Sequence, residues 1–267
     1  MPKSHLLKID PEKTPLCPTK EEGLLQLEKY KKRIYELFYL MFAEDRRSLL
    51  IILQGIDTSG KDGVVKFIFE SANPQGIQVH SFKKPSEEEL KHDFLWRCHK
   101  VTPASGGTTI FNRSYYEEVT VAQVHPEILK SEHLPKEILK NKKIYKKRYQ
   151  QINDFERMLA ENGTIVLKFF LHITKAEQKK RLNERLDDHT KNWKFSAADI
   201  KERKFWNQYM TAFDQMIAAT NTKIAPWNIV PANKKWYRDL VIAKLMIEQL
   251  ESIKMIFPKV ENKPIIN

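Results

Sequence analysis

Cysteine is nearly missing from this chain of 267 residues. Cys17 and Cys98 are the two present, and no CxxC pair occurs. That spacing argues against a zinc site or a redox dithiol, and two isolated thiols suit a reducing compartment, so a cytoplasmic location is expected. The stretch from Met1 to Pro11 is polar and charged and has no apolar core of a signal peptide. No apolar run approaches the ~20 residues that a membrane helix needs, so neither spanning nor secretion is expected. The histidines, His80 and His125 among them, show no metal-ligand spacing. Internal repeats, low-complexity segments and breaks in composition are missing too, which predicts one large domain.

Positive charge is abundant. Lysine and arginine number 46 against 34 acidic residues, a net charge of +12. Such an excess points to a polyanionic partner. Nucleic acid, an anionic membrane surface and a phosphate-rich substrate all satisfy it, and solubility alone is the plainer reading.

The hydrophobic pattern gives the architecture. Residues 1–18 carry Pro2, Pro11, Pro15 and Pro18 without periodicity and read as an extended arm. Thr19-Lys-Glu-Glu22 is a capping box, and Leu24, Leu27, Tyr30, Ile34, Leu37, Phe38 and Met41 recur behind it at helical spacing, predicting a helix over about 20–43. Ser48–Leu53 is a continuous apolar run, the mark of a buried parallel strand. Further strands are expected at Ile77–Phe82, Thr108–Asn112, Thr164–Ile173 and Trp227–Val230. Helices are expected after the capping residues Ser86, Thr174 and Ser196, through Ile144–Leu159, and around Trp236–Leu250. Alternation of this kind predicts a parallel sheet covered by helices on both faces.

Between the first strand and the next helix lies Gly55-Ile-Asp-Thr-Ser-Gly-Lys61, which matches the Walker A pattern in its strand–loop–helix context. Gly55 and Gly60 let the backbone turn tightly and present N–H groups to phosphate oxygens, with Thr58 and Ser59 between them. The helix start offers its N-terminus to the same anion, and Lys61 adds a point charge. One position departs from the common motif. Asp62 stands where a metal-binding Ser or Thr is usual, and Asp57 lies inside the loop. Two carboxylates beside a phosphate cradle call for a hard cation between them. Mg²⁺ is therefore expected, held by Asp57 and also by Asp62 unless that residue only compensates the helix N-terminus.

This loop, with its aspartate after the lysine, resembles that of the polyphosphate kinase 2 family. Three further blocks resemble the family in the same order: Asn73-Pro-Gln-Gly76 with Ser81-Phe-Lys-Lys-Pro-Ser86, Phe111-Asn-Arg-Ser-Tyr-Tyr-Glu-Glu118, and Ala225-Pro-Trp-Asn-Ile-Val-Pro-Ala-Asn-Lys-Lys-Trp-Tyr-Arg238. The resemblance implies a thymidylate-kinase-like P-loop fold over 19–257, with a helical lid around 174–200 and a tail at 258–267. It implies Mg²⁺-dependent, reversible phosphate transfer between inorganic polyphosphate and a nucleoside phosphate, with ADP or GDP giving ATP or GTP and AMP as the variant acceptor; an ordinary nucleoside monophosphate kinase with ATP as donor is the competing reading. It also implies a homo-oligomer and neither nucleic acid nor membrane as partner. By the same match Asp57, Lys61 and Arg113 are catalytic, together with Arg181 and Arg185 of the lid.

The residue chemistry agrees. A phosphate acceptor is already ionised, so the task is to bring two polyanions together, and cations do that. Arg113 follows a strand end, where α/β sheets place ligands. Arg181 and Arg185 are four apart, on one helix face, either to meet phosphate on closure or as ordinary surface charge. Lys66, Lys83, Lys84 and the basic run 140–148 are candidates to line a polyphosphate channel, the run being equally readable as a solvated helix face. Trp227 and Trp236 suit core packing better than base stacking. Asn112 breaks the usual pattern, because an amide at the strand end cannot neutralise a cation. Glu117 and Glu118 are the alternative carboxylates.

Overall fold

The structure is a computed structural model that describes residues 6–190, 192–194 and 197–259. Five strands, β1 (Ser48–Gln54), β2 (Ile77–Ser81), β3 (Thr108–Asn112), β4 (Thr164–His172) and β5 (Trp227–Pro231), form one sheet in the order β2-β3-β1-β4-β5. Every adjacent pair is parallel. β1 sits in the middle and is buried along its whole length, as its unbroken apolar run requires when both faces are covered.

The helices are α1 (Lys20–Glu44), α2 (Lys61–Glu70), α3 (Trp96–His99), α4 (Glu117–Val124), α5 (Pro126–Ser131), α6 (Lys136–Leu139), α7 (Ile144–Glu161), α8 (Lys175–Asp187), α9 (Ala197–Glu202), α10 (Trp206–Thr220) and α11 (Lys235–Ser252). α1 lies along α11, which packs on β4 and β5, while α7 covers β4 elsewhere and α10 packs on α4 and α7. The side chains of β4 show the two sides. Lys168 reaches Glu156 of α7 and Phe170 meets Phe213 of α10. The alternate residues Leu167, Phe169 and Leu171 point to the opposite face and are buried there as well. This is the three-layer α/β arrangement that the sequence predicts.

Local signals mostly act as read. Thr19 caps α1 by accepting from the Glu22 N–H at 3.3 Å, and Thr174 caps α8 by accepting from Glu177 at 3.1 Å. Ser86 and Glu89 form their reciprocal box at 2.7 and 3.2 Å. The expected helix behind that box does not continue, however. It is a single 3-10 turn, Glu89–Lys91, followed by extended backbone at His92 and the short α3. Asp93 is the cause, because its carboxylate accepts from the Leu95 N–H at 2.9 Å and starts a new turn. The helix expected after Ser196 is likewise two, α9 and α10, joined by a 3-10 turn at Arg203–Phe205, and Ser196 itself lies outside the described residues. Helices α4, α5 and α6 were not expected.

Residues 6–16 lie against the body. Leu6 is buried in the core, its N–H donating to Asp214 at 3.1 Å, and the Leu16 N–H donates to the Tyr237 hydroxyl at 3.0 Å. Residues 1–5 of the expected arm and 260–267 of the expected tail lie outside the described residues. Both tryptophans of the C-terminal block are packing residues. Trp227 is buried and donates to the Thr220 hydroxyl at 2.9 Å. Trp236 fills the space over Gly23, where a Cβ would stand 2.3 Å from its ring.

Candidate active site

The sheet order assembles the site. β1 and β3 are neighbours in register, with Leu53 opposite Asn112, so the loop leaving β1 and the loop leaving β3 emerge side by side. In the first, Gly55 has φ +147° and Gly60 φ +103°, and Thr58 adopts φ +63°. A Cβ at Gly55 would lie 2.7 Å from the Leu171 carbonyl, so the glycine is required by both space and backbone. Lys61 opens α2. Its buried ammonium donates back to the carbonyls of Gly55 at 2.8 Å and Ile56 at 3.3 Å. Burial, and next the positive charge of Arg113, push its pKa down to about 8, with Asp57, Glu117 and Asp62 pulling the other way. The Thr58 and Ser59 hydroxyls are buried without a hydrogen-bond partner inside the same loop, as donors held for an anion would be.

The two unusual residues of the motifs explain each other. The Asn112 side-chain N–H donates to the Asp62 carboxylate at 2.9 Å across 50 residues of sequence. A P-loop enzyme commonly sets a hydroxyl on the helix against a carboxylate on the strand. Here the carboxylate is on the helix and the neutral partner on the strand, so one negative charge is retained. Asp57 lies across the loop, Oδ1 3.9 Å from Arg113 and Oδ2 3.5 Å from Arg185. Of the alternative carboxylates, Glu118 is buried in an ion pair with Arg97 at 3.0 Å, and burial raises its pKa. Glu117 pairs with Arg113 at 3.6 Å. Among the described residues no cluster of three or more His, Cys, Asp or Glu side chains forms a ready-made cage. Mg²⁺ does not need one, since it binds through one or two carboxylates with water and substrate oxygens. Asp57 and Asp62 fit that requirement.

Arg113 has φ +66°, unusual for a side chain of its size, and its N–H bonds the Leu53 carbonyl at 3.2 Å. The residues just after it anchor the turn. Tyr115 and Tyr116 donate to Glu156 at 2.9 and 2.7 Å, and Lys168 closes the network with 2.7 Å to Glu156 and 2.9 Å to Tyr116. Arg185, on α8, reaches Asp57 and also Asp199 of α9 at 3.5 Å.

Arg181 is placed otherwise than a mobile phosphate-seeking arginine. It is buried, and its five N–H groups are engaged: Nε by Glu177 at 2.7 Å, the others by the carbonyls of Thr58, Ser59, Ala232 and Asn233 at 2.6–2.9 Å. Helical spacing could show that it shares a face with Arg185 and can reach Glu177, but not that its four carbonyl partners lie more than 50 residues away. Lys66 also stands apart, exposed on α2 with its ammonium 3.6 Å from Glu70. In the basic run, Arg148 is buried against Glu132, and Lys140, Lys142, Lys143, Lys146 and Lys147 are a solvated surface.

Two cavities adjoin at this edge of the sheet. One, of about 610 Å³, is lined by Asp57, Thr58, Gly60, Lys61, Asp62, Lys84, Arg113 and Arg185. The other, of about 340 Å³, is lined by Leu90, Phe94, Val121, Arg97 and Glu117. Phe82, Lys83, Lys84 and Arg113 belong to both. Sequence reasoning missed Arg97, which donates to the Lys83 carbonyl at 2.8 Å and so fixes this shared wall, and Arg238, which donates to the Gly60 carbonyl at 3.2 Å.

Residues 18–258 match the family model described as Polyphosphate kinase 2. The ADP-polyphosphate phosphotransferase of Rhodopseudomonas palustris is 44% identical over 252 residues, 94% of this chain and 86% of that one. The AMP/ADP-polyphosphate phosphotransferase of Meiothermus ruber is 40% identical, covering 96% of this chain and 92% of its own. The crystal structure of polyphosphate kinase 2 from Arthrobacter aurescens superposes with a TM-score of 0.91 at 40% identity, over 99% of this chain and 91% of that one. The chain belongs to the polyphosphate kinase 2 family.

Proposed function

Starting from membership of that family, we propose that this chain catalyses reversible, Mg²⁺-dependent transfer of the terminal phosphate between inorganic polyphosphate and a nucleoside diphosphate, ADP or GDP. The observation that carries this reading is the pair of cavities that meet at Arg113. The one bounded by the phosphate loop, Lys84, Arg113 and Arg185 offers cations and backbone N–H groups, which suits a chain of phosphates. The other adds the apolar walls Leu90, Phe94 and Val121, which suit a nucleoside.

The acceptor is an anion, so no base is needed. Catalysis then consists of positioning and charge neutralisation. The loop N–H groups and Lys61 hold the donor phosphate, and a bound polyanion stabilises the protonated lysine that burial disfavours. Arg113 faces both compartments and neutralises the phosphate in transfer. Arg185, on the lid helix α8, leaves Asp57 for phosphate as the lid closes. Mg²⁺, held through Asp57 and Asp62, would offset the charge on the phosphate oxygens.

The test is to incubate the protein with polyphosphate and ADP, GDP or AMP and to resolve the nucleotides by chromatography. ATP and GTP are the expected products. Conversion of AMP to ADP would instead place the chain with acceptors of the kind named for the Meiothermus relative. No product with any acceptor, or phosphorylation of AMP by ATP alone, would sink the reading.

A further inference from the structure

A phosphate loop binds anions only when its N–H groups point inward. Peptide planes in a loop can rotate, so something must hold them. Here three successive carbonyls, those of Thr58, Ser59 and Gly60, each accept from an arginine on the outer side of the loop. Arg181 donates to Thr58 and Ser59 at 2.9 Å each, and Arg238 donates to Gly60 at 3.2 Å. Both guanidiniums are buried and lie outside the cavity that the loop lines. The described peptide bonds are all trans, so the N–H of each following residue points away from the carbonyl that is held. Fixing the Ser59 and Gly60 carbonyls therefore fixes the N–H groups of Gly60 and Lys61.

Each arginine is itself held. Glu177 accepts from Arg181 at 2.7 Å, and Asp239 accepts from Arg238 at 2.9 and 3.0 Å. The glycines of the motif make room for them. A Cβ at Gly60 would stand 2.2 Å from an Arg238 nitrogen, and one at Gly63 3.0 Å from the other.

We propose that Arg181 and Arg238 are positioning residues that clamp the peptide planes of the phosphate loop in their anion-binding orientation before substrate arrives. A guanidinium presents several donors in one plane, and a lysine ammonium cannot reproduce that fork. The inference rests on the reading that the loop holds polyphosphate.

The experiment measures binding of tripolyphosphate, a probe without a nucleoside, and of ADP by titration calorimetry. It also follows steady-state kinetics and the melting temperature. Arg181→Lys and Arg238→Lys keep the charge, and each is expected to weaken tripolyphosphate about 10-fold or more while ADP affinity stays within about 2-fold. Gly63→Ala leaves both arginines in place but crowds Arg238, and it replaces a helical glycine by a better helix former. It is expected to lower tripolyphosphate affinity without lowering the melting temperature, an effect that a merely structural role would not produce. Wild-type tripolyphosphate affinity in all three variants, or equal losses for tripolyphosphate and ADP, would overturn the clamp. Lys61→Ala separates the two ideas: if it binds tripolyphosphate normally, the functional reading of the loop fails. If it is impaired while the arginine variants are not, the clamp alone fails.

Discussion

The exchange of roles between Asp62 and Asn112 can be tested by reversing it. In the wild type this hydrogen-bonded pair carries one negative charge, with 2.9 Å between amide and carboxylate. Asp62→Asn removes that charge, and Asn112→Asp doubles it. The double variant D62N/N112D restores a single charge and the hydrogen bond, with the donor now on the helix. Two unit charges at 4 Å in water interact by about 1 kcal/mol, so a divalent cation near one carboxylate gains about 2 kcal/mol, a factor of about 30 in binding. Asp62→Asn should therefore raise the Mg²⁺ concentration for half-maximal phosphotransfer by roughly 10- to 50-fold. Asn112→Asp forces two carboxylates together, and about 1–3 kcal/mol of stability should be lost without Mg²⁺ and regained with it. The double variant should return the Mg²⁺ curve to within about 3-fold of wild type, since its pair charge is the same. The assay is ATP formation against free Mg²⁺, with thermal melts alongside. If Asp62 only compensates the α2 N-terminus, Asp62→Asn costs about 0.5 kcal/mol of stability and leaves the Mg²⁺ curve unmoved. That result, or a double variant no better than Asp62→Asn, would refute the reasoning.

Other consequences are simpler. Lys61→Ala should lower turnover by about 10²–10³-fold or more with the fold intact, read by initial rates and circular dichroism. Arg113→Lys should also lose about 10²-fold in rate, because one ammonium cannot face both cavities as a guanidinium can. Lys168→Met should cost about 3–5 kcal/mol in denaturant unfolding, since Glu156 would be left charged and buried, and adding Glu156→Gln should recover part of it. Gly23→Ala should cost about 1–3 kcal/mol by driving a methyl group into Trp236. An unchanged melting temperature would show that the ring moves aside freely.

What the sequence made legible was what local chemistry encodes. The apolar run of β1, the glycines of the loop and the caps at Thr19 and Thr174 each act within a few residues, and the strands follow the reading closely. The broken helix at His92 was illegible because Asp93 competes for the backbone, a contest that periodicity does not register. Helix α4 was missed because Glu118 and Thr120 are buried in it, so its polar residues do not mark a solvent face. At the site, Lys61 and Asp57 could be named from the motif alone. Asn112, which donates to Asp62, is 50 residues away and the carbonyls that Arg181 holds are more than 50, so a charge on a helix face could be seen without what it holds. Asn112 looked like a deficit until its neighbour in space was known.

The sheet order has a bearing on how the protein becomes active. The central strand β1 pairs with β3 on one side and β4 on the other, and their partners in register are separated by 59 residues at Leu53–Asn112 and 116 at Ser48–Thr164. The loops after β1 and β3 and the helix after β4 contribute to the same site, and Arg238 arrives only with α11. A nascent chain therefore holds its phosphate motif long before the motif can work. In refolding, long-range pairing of this kind is slow, and phosphotransfer should return with the slowest structural phase, after most helical signal is already regained.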